Sequence, residues 1–205
     1  MKDQPTANVF MAGVGGQGIV LASRILAELA FSAGLDVKQN EVHGLSQRGG
    51  SVTGHVRWGA TVRSPVIMEG EAHFVYALEE LEALRWAHFV RPDGIIAVNR
   101  HRLLPASVTV GGESYPEDAV ERLAGYGRVL PVEAQAIAAS LGNTRTANIV
   151  LLGAMSAHVP GFTFEQWQAA VSACVPPRHR ELNLAALERG RNAASALLPS
   201  RPSDA

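Results

Sequence analysis

The 205-residue sequence has one cysteine, 6% aromatics, 18% charged residues and almost no net charge, at −1. Each shortage excludes something. A single cysteine cannot form a disulfide within the chain. It also cannot supply the four thiolates of an iron–sulfur cluster or a cysteine-built zinc site. The balance of 18 Lys+Arg against 19 Asp+Glu lacks the basic surplus of a nucleic-acid binder. The apolar N-terminal stretch is broken by Gly13, Gly15, Gly16 and Gly18 and runs into Arg24 and Glu28, so it reads neither as a leader nor as a membrane span. The expectation is a cytoplasmic protein without a membrane or nucleic-acid partner. What is plentiful is apolar residues, at 47%, and glycine, at 20 residues. That composition supports a packed core rather than a disordered chain.

The pattern opens as strand, glycine turn, helix, strand. Asn8 to Gly13 is a short apolar run, and a helix is expected from Gln17 to Ala33, with Ile19, Ala22, Leu26, Leu29 and Ala30 at helical spacing. Gly34 is placed to stop that helix, and Leu35 to Gln39 can form a second strand. A polar loop is expected over Glu41 to Gly50. Ser51 to Gly59 then alternates, with Val52, Val56 and Trp58 on one face and Thr53, His55 and Arg57 on the other, as in a half-exposed strand. On this reading His55 is a surface or interface residue. Further strands are expected at Val66 to Met68, Ala72 to Leu78, Gly94 to Asn99, Ser107 to Val110 and Arg128 to Pro131. Arg91-Pro92-Asp93-Gly94 carries the chemistry of a turn. Helices are expected at Glu79 to Phe89, Pro116 to Gly125, Val132 to Leu141, Asn148 to Val159, Phe164 to Cys174 and Arg180 to Leu198. The sum is a single three-layer α/β domain over residues 1–198, with a mostly parallel, mixed sheet and a Rossmann-like opening, followed by a loose tail from Pro199 to Ala205.

Two glycine-rich segments carry the chemistry. Gly13-Val14-Gly15-Gly16-Gln17-Gly18 fits G-x-G-x-x-G between a strand and a helix. Glycines let the backbone approach a ligand, and the helix start offers free N–H groups to an anion. The same turn can also serve only to pack helix on strand, or to touch another subunit. A dinucleotide site wants an acid about 20 residues on; Glu41 is the nearest. The second segment is Glu41-Val42-His43-Gly44-Leu45-Ser46-Gln47-Arg48-Gly49-Gly50-Ser51. Its glycines can form an anion nest and Arg48 adds a forked donor. The topology brings both segments to the carboxyl edge of the sheet. No H-x-x-x-H pair supports a metal site, no G-x-S-x-G marks a nucleophile, and Cys174 reads as a buried filler. No catalytic residue is identified.

Taken together, these segments resemble the gamma-type subunit or domain of 2-oxoacid:acceptor oxidoreductases, and most closely the small subunit of the indolepyruvate:ferredoxin branch. Asn148-Ile149-Val150-Leu151-Leu152-Gly153-Ala154, and Glu181-Leu182-Asn183 followed by Gly190, extend the match along nearly the whole chain. The resemblance implies oxidative decarboxylation of an aryl-pyruvate to its acyl-CoA, with electrons passed to ferredoxin. It implies that thiamine diphosphate and iron–sulfur clusters reside on a large partner subunit. The sequence agrees in having no G-D-G followed by an Asn-rich stretch of the thiamine diphosphate type. Gly13, Gly15, Gly16, Gln17, Gly18, Arg48, Gly49 and Gly50 are the candidate cofactor-binding residues, with CoA as the co-substrate. His43, Ser46, Gln47, Asn148 and Asn183 are candidates for the cleft or the subunit interface. The alternative is a stand-alone protein binding NAD(P) or FAD through the glycine turn.

Overall fold

The computed structural model describes residues 6–43, 50–104 and 114–195. The expected strand at Ser107 to Val110 and the tail from Pro199 lie outside them. Six strands form one sheet in the order β2-β3-β1-β4-β5-β6. They are β1 (Ala7–Val14), β2 (Asp36–His43), β3 (Ser51–Gly59), β4 (Ala72–Ala77), β5 (Val90–Asn99) and β6 (Arg128–Val132). β1, β4, β5 and β6 run parallel to one another, and β3 is antiparallel to both β1 and β2. Helices cover both faces. On one lie α1 (Ile19–Ser32), α4 (Ala134–Ser140), α5 (Ala147–Ser156), α6 (Phe164–Cys174) and α7 (Arg180–Ser195); on the other lie α2 (Glu80–Trp86) and α3 (Ala119–Leu123). The mostly parallel, mixed, three-layer architecture is the one expected.

Local chemistry explains most boundaries. Gly34 at φ +77° ends α1: its N–H bonds the Phe31 carbonyl, and Leu35 N–H bonds the Ala30 carbonyl. That paired closure is a Schellman motif, which a residue with a side chain adopts at a cost. Thr163 and Gln166 form a capping box at the start of α6.

Four expectations change. β2 continues through Glu41, Val42 and His43, because β3 pairs with each of them (with Gly54, Thr53 and Val52 respectively). The loop is correspondingly shorter. β3 is covered on both faces rather than one: His55 is 9% exposed, edge-on to Phe10 at 4.9 Å, with its Nδ1 accepting the Ile67 N–H at 3.2 Å. The stretch Val66 to Met68 is not a strand; Ile67 instead fills the second core and makes that bond. Arg91 to Gly94 is an irregularity inside β5, between the pairs Ala72–Val90 and Phe74–Ile95. Gly94 has no left-handed φ. It is needed for closeness: a Cβ there would lie 2.9 Å from the Ala72 carbonyl oxygen.

Gly153 and Gly190 are explained together. A Cβ on Gly153 would stand 2.0 Å from the Leu187 carbonyl oxygen, and one on Gly190 would stand 1.9 Å from that of Val150. α5 and α7 therefore cross with their backbones touching. α5 is buried along its whole length, from Ala147 to Ser156.

Two predictions follow from this packing. Gly153→Ala and Gly190→Ala each force the helices apart and are expected to cost about 1–3 kcal/mol or more by chemical denaturation. Gly125→Ala, whose added Cβ meets only the Arg122 carbonyl at 3.5 Å, is the near-neutral control. Burial, with the nearby Arg57 guanidinium adding to it, holds the His55 imidazole below its ordinary value of 6.5. The unfolded chain thus binds this proton first. Stability is full above about pH 6.5 and falls as pH drops below it, by up to about 1.4 kcal/mol per pH unit from this group. His55→Gln, which keeps an acceptor but cannot titrate, is expected to flatten that slope in denaturation curves.

Candidate functional site

The helix after β1 packs on one face of the sheet and the helix after β4 on the other. β1 and β4 are neighbours. The chain therefore parts at their carboxyl ends, the place where open α/β sheets form a crevice. The glycine turn sits there. Gly16 and Gly18 are left-handed, at φ +99° and +90°. A Cβ on Gly18 would also meet Asn148 Nδ2 at 2.5 Å, so this position is restricted twice.

Gln17 is the knot of the turn. Its Oε1 accepts the Val14 N–H at 2.7 Å, and its Nε2 donates to the Leu78 carbonyl at 3.1 Å. One amide thus ties β1 to the exit of β4. Asn99 Nδ2 donates to the same Leu78 carbonyl at 3.3 Å, adding the end of β5. Asn148 Nδ2 donates to the Gly18 carbonyl at 3.2 Å, and Tyr76, fully buried, donates its hydroxyl to the Asn148 carbonyl at 2.6 Å. Burial pushes the Tyr76 phenol far above its ordinary value, so it remains a donor. Among the described residues no side chain caps α1, and its first turn holds no acid.

Cavities flank the turn on two sides. One, of about 520 Å³, has polar walls from Gln17, Asn99, His101, Gln135, Thr144 and Arg145. The other, of about 560 Å³, is apolar, with Val14, Ile19, Val20 and Val52 beside Gly15, Gly16 and Gly18. Gly13 is too close-packed for a side chain, since a Cβ would meet Gln17 Oε1 at 2.9 Å.

Of the second segment, Gly44, Leu45, Ser46, Gln47, Arg48 and Gly49 lie outside the described residues. Its ends are placed. The His43 backbone pairs with Val52, and the Gly50 carbonyl accepts the Gly15 N–H at 2.9 Å. Ser51 donates to Glu82 at 2.5 Å. The two ends of the second segment thus lie at the edge of the sheet that carries the glycine turn. Asn183 does not line either cavity; its Nδ2 donates to the His179 carbonyl at 2.7 Å, within the start of α7. Cys174 Sγ lies 3.8 Å from the Arg24 carbonyl, and burial pushes its thiol up, the reverse of an activated nucleophile.

Glu41 is decisive for the dinucleotide alternative. In the nucleotide-binding arrangement the acid-bearing strand lies next to β1. Here β3 intervenes, setting β2 about 9–10 Å from β1. Glu41 instead accepts the Ser23 hydroxyl of α1 at 2.7 Å.

Sequence reasoning missed the first turn of α2. Glu79, Glu80 and Glu82 are each less than 5% exposed. Glu79 caps the helix through the Glu82 N–H and accepts from Tyr115 and the Leu103 N–H. Glu80 pairs with Arg102 at 2.7 Å, and Glu82 binds Ser51, Arg85 and Trp86. The Glu-Glu-Leu-Glu run after an apolar strand looks like an ordinary solvated helix start, so no sequence signal marked it. Asn99 had one, as a polar residue closing an apolar strand. Arg145 had none.

Strand order, crevice and glycine turn define an open α/β domain with β3 inserted between β1 and β2. The chain belongs to the pyruvate ferredoxin/flavodoxin oxidoreductase family, whose pattern it matches over residues 8–193. It is 39% identical to the indolepyruvate oxidoreductase subunit IorB of Archaeoglobus fulgidus, over 94% of this chain and 98% of that one. It is 37% identical to the IorB subunit of Thermococcus kodakarensis, over 93% and 97%. Among solved structures, the keto/oxoacid ferredoxin oxidoreductase gamma subunit of Geobacter sulfurreducens superposes with a TM-score of 0.71 at 26% identity, covering 93% of this chain and 99% of that one. The 2-oxoglutarate:ferredoxin oxidoreductase of Magnetococcus marinus shares the fold, with a TM-score of 0.73 at 19% identity, over 96% of this chain and 32% of that one. The two IorB proteins and the Geobacter chain are oxidoreductase subunits. Among the described residues, no helix is long and apolar enough to cross a membrane.

Gln17→Ala removes both the acceptor for Val14 and the donor to Leu78. We expect a loss of about 1–3 kcal/mol in chemical denaturation. Gln17→Glu keeps the acceptor but sets a carboxylate against the Leu78 carbonyl, and is expected to be no better than the alanine.

Proposed function

We propose that this chain is the small subunit of a thiamine-diphosphate-dependent 2-oxoacid:ferredoxin oxidoreductase of the indolepyruvate type. The observation that carries this reading is the end-to-end likeness to IorB subunits, at 39% identity over 98% of one such relative. The overall reaction takes a 2-oxoacid and CoA to the acyl-CoA, releasing carbon dioxide and the thiol proton and passing two electrons to ferredoxin. Bound thiamine diphosphate supplies the carbanion chemistry of decarboxylation, and clusters carry the electrons. The lone Cys174, with its thiol held protonated by burial, does not fit a cluster's ligand set. We therefore assign the clusters, and thiamine diphosphate with them, to the large subunit.

This chain's contribution is a binding edge. Gly13, Gly15, Gly16, Gln17 and Gly18 shape the turn so that the uncapped N–H groups of α1 face a ligand anion. Arg48, Gly49 and Gly50 supply a guanidinium and a glycine backbone at the same edge, suited to CoA phosphates. His43, Ser46, Gln47 and Asn148 belong to the cleft or the subunit contact. For Asn183, set within α7, the contact is the better assignment. Gln17 works as a positioning residue, because its amide is engaged by Val14 and Leu78. The displacement of Glu41 by β3 weighs against the NAD(P) or FAD alternative.

The test is reconstitution. The isolated chain is expected to show no turnover. Addition of the large subunit, identified by co-purification, is expected to give indolepyruvate- and CoA-dependent reduction of ferredoxin. Arg48→Ala in the complex is expected to raise KM for CoA by about tenfold or more, the weight of a charge-assisted hydrogen bond. Turnover by the isolated chain, or calorimetric binding of NAD(P) to it, would overturn the proposal.

A further inference from the structure

A third cavity, of about 400 Å³, opens at the amino-terminal edge of the sheet, opposite the glycine turn. Its walls come from the starts of β4, β5 and β6 and from the chain that leaves α5. Phe74, Ile95 and Val159 form an apolar floor, each less than 8% exposed. Polar groups gather on the other side. Arg91 and Asp93 are paired through both guanidinium and carboxylate arms and neutralise each other. Arg128 is different. It is half-buried, and among the described residues its guanidinium has no hydrogen bond or ion pair.

Two histidines share the cavity with it. His73 accepts the Asn8 N–H on Nδ1 at 3.1 Å, so the neutral ring carries its proton on Nε2 and can donate. His158 is held below its ordinary value by burial, and then by Arg128 and Arg191. Its Nε2 is buried without a partner. The cavity is thus a half-buried, unpaired guanidinium beside a neutral donor, set against an apolar floor. Cavities of this size and make-up suit a small organic ligand. An unpaired guanidinium matches a carboxylate in shape and charge.

We propose that this cavity binds a small carboxylate with an apolar body, its carboxylate on Arg128 and its body against Phe74, Ile95 and Val159. The site is separate from the carboxyl edge and stands whether or not the chain is an oxidoreductase subunit.

The probe is phenylacetate, titrated into the full chain while the histidine imidazole resonances are followed by NMR. The expected result is saturable movement of the His73 and His158 signals. The neutral analogue 2-phenylethanol should bind at least tenfold more weakly. Arg128→Gln should weaken phenylacetate binding by about tenfold or more, while Arg63→Gln, away from the cavity, should not. Ala157→Phe, which fills the cavity without removing a charge, should abolish binding, and thermal melting establishes that each variant is folded. Failure to saturate, unchanged affinity in folded Arg128→Gln, or inorganic phosphate binding as tightly as phenylacetate would overturn the proposal.

Discussion

The backbone contact of α5 with α7, made by Gly153 against Leu187 and by Gly190 against Val150, sets the position of everything around the glycine turn. Helices that cross through side chains sit about 8–10 Å apart, and only glycines allow closer approach. Here that approach seats α5 deep enough to be buried from end to end. Its first turn then meets the sheet, where Asn148 reaches the Gly18 carbonyl and the Tyr76 hydroxyl reaches the Asn148 carbonyl. A left-handed glycine costs little sterically, but its freedom in the unfolded chain must be overcome. Asn148 and Gln17 provide the fixed partners that hold the turn in one shape.

The second constraint is the insertion of β3. The same G-x-G-x-x-G sequence serves dinucleotide folds, where an acid on the adjacent strand reads the ribose. An antiparallel strand between β1 and β2 removes that geometry while leaving the turn intact. It also brings the start of β3 directly beside the end of β1, with Val14 opposite Ser51. The segment after β2 must therefore return to the turn. One topological change thus removes the position of a ribose-binding acid and sets Gly50 against the turn, its carbonyl accepting the Gly15 N–H.

The elements were legible where burial and propensity agree. α6 was expected from Phe164 to Cys174 and spans those residues; β3 was expected from Ser51 to Gly59 and does likewise. Failures came where tertiary contacts override local signals. Thr53, His55 and Arg57 look like a wet face, yet Phe10, Phe89 and Ile67 cover His55. Pro92 and Gly94 look like a turn, but the strand passes through them because Gly94 allows Ala72 to come close. At the site, the glycine turn was readable from spacing. The tie made by Gln17, the role of Asn99 and the buried carboxylates of α2 were not, because each depends on which strand end lies next to which. Glu79, Glu80 and Glu82 have no periodic or spacing signature distinguishing them from solvated acids.

Those three carboxylates also have a mechanical meaning. α2 is a short helix, yet its first turn is fastened to Ser51 at the start of β3, to Arg102 and Leu103 after β5, and to Tyr115 further on. Each bond is to a buried carboxyl group. The segments on either side of the crevice are thus not independent loops but are harnessed to one small rigid body. Ser51 and Tyr115 are linked by a continuous chain of hydrogen bonds through Glu82 and Glu79. The edge of the sheet would adjust as a unit.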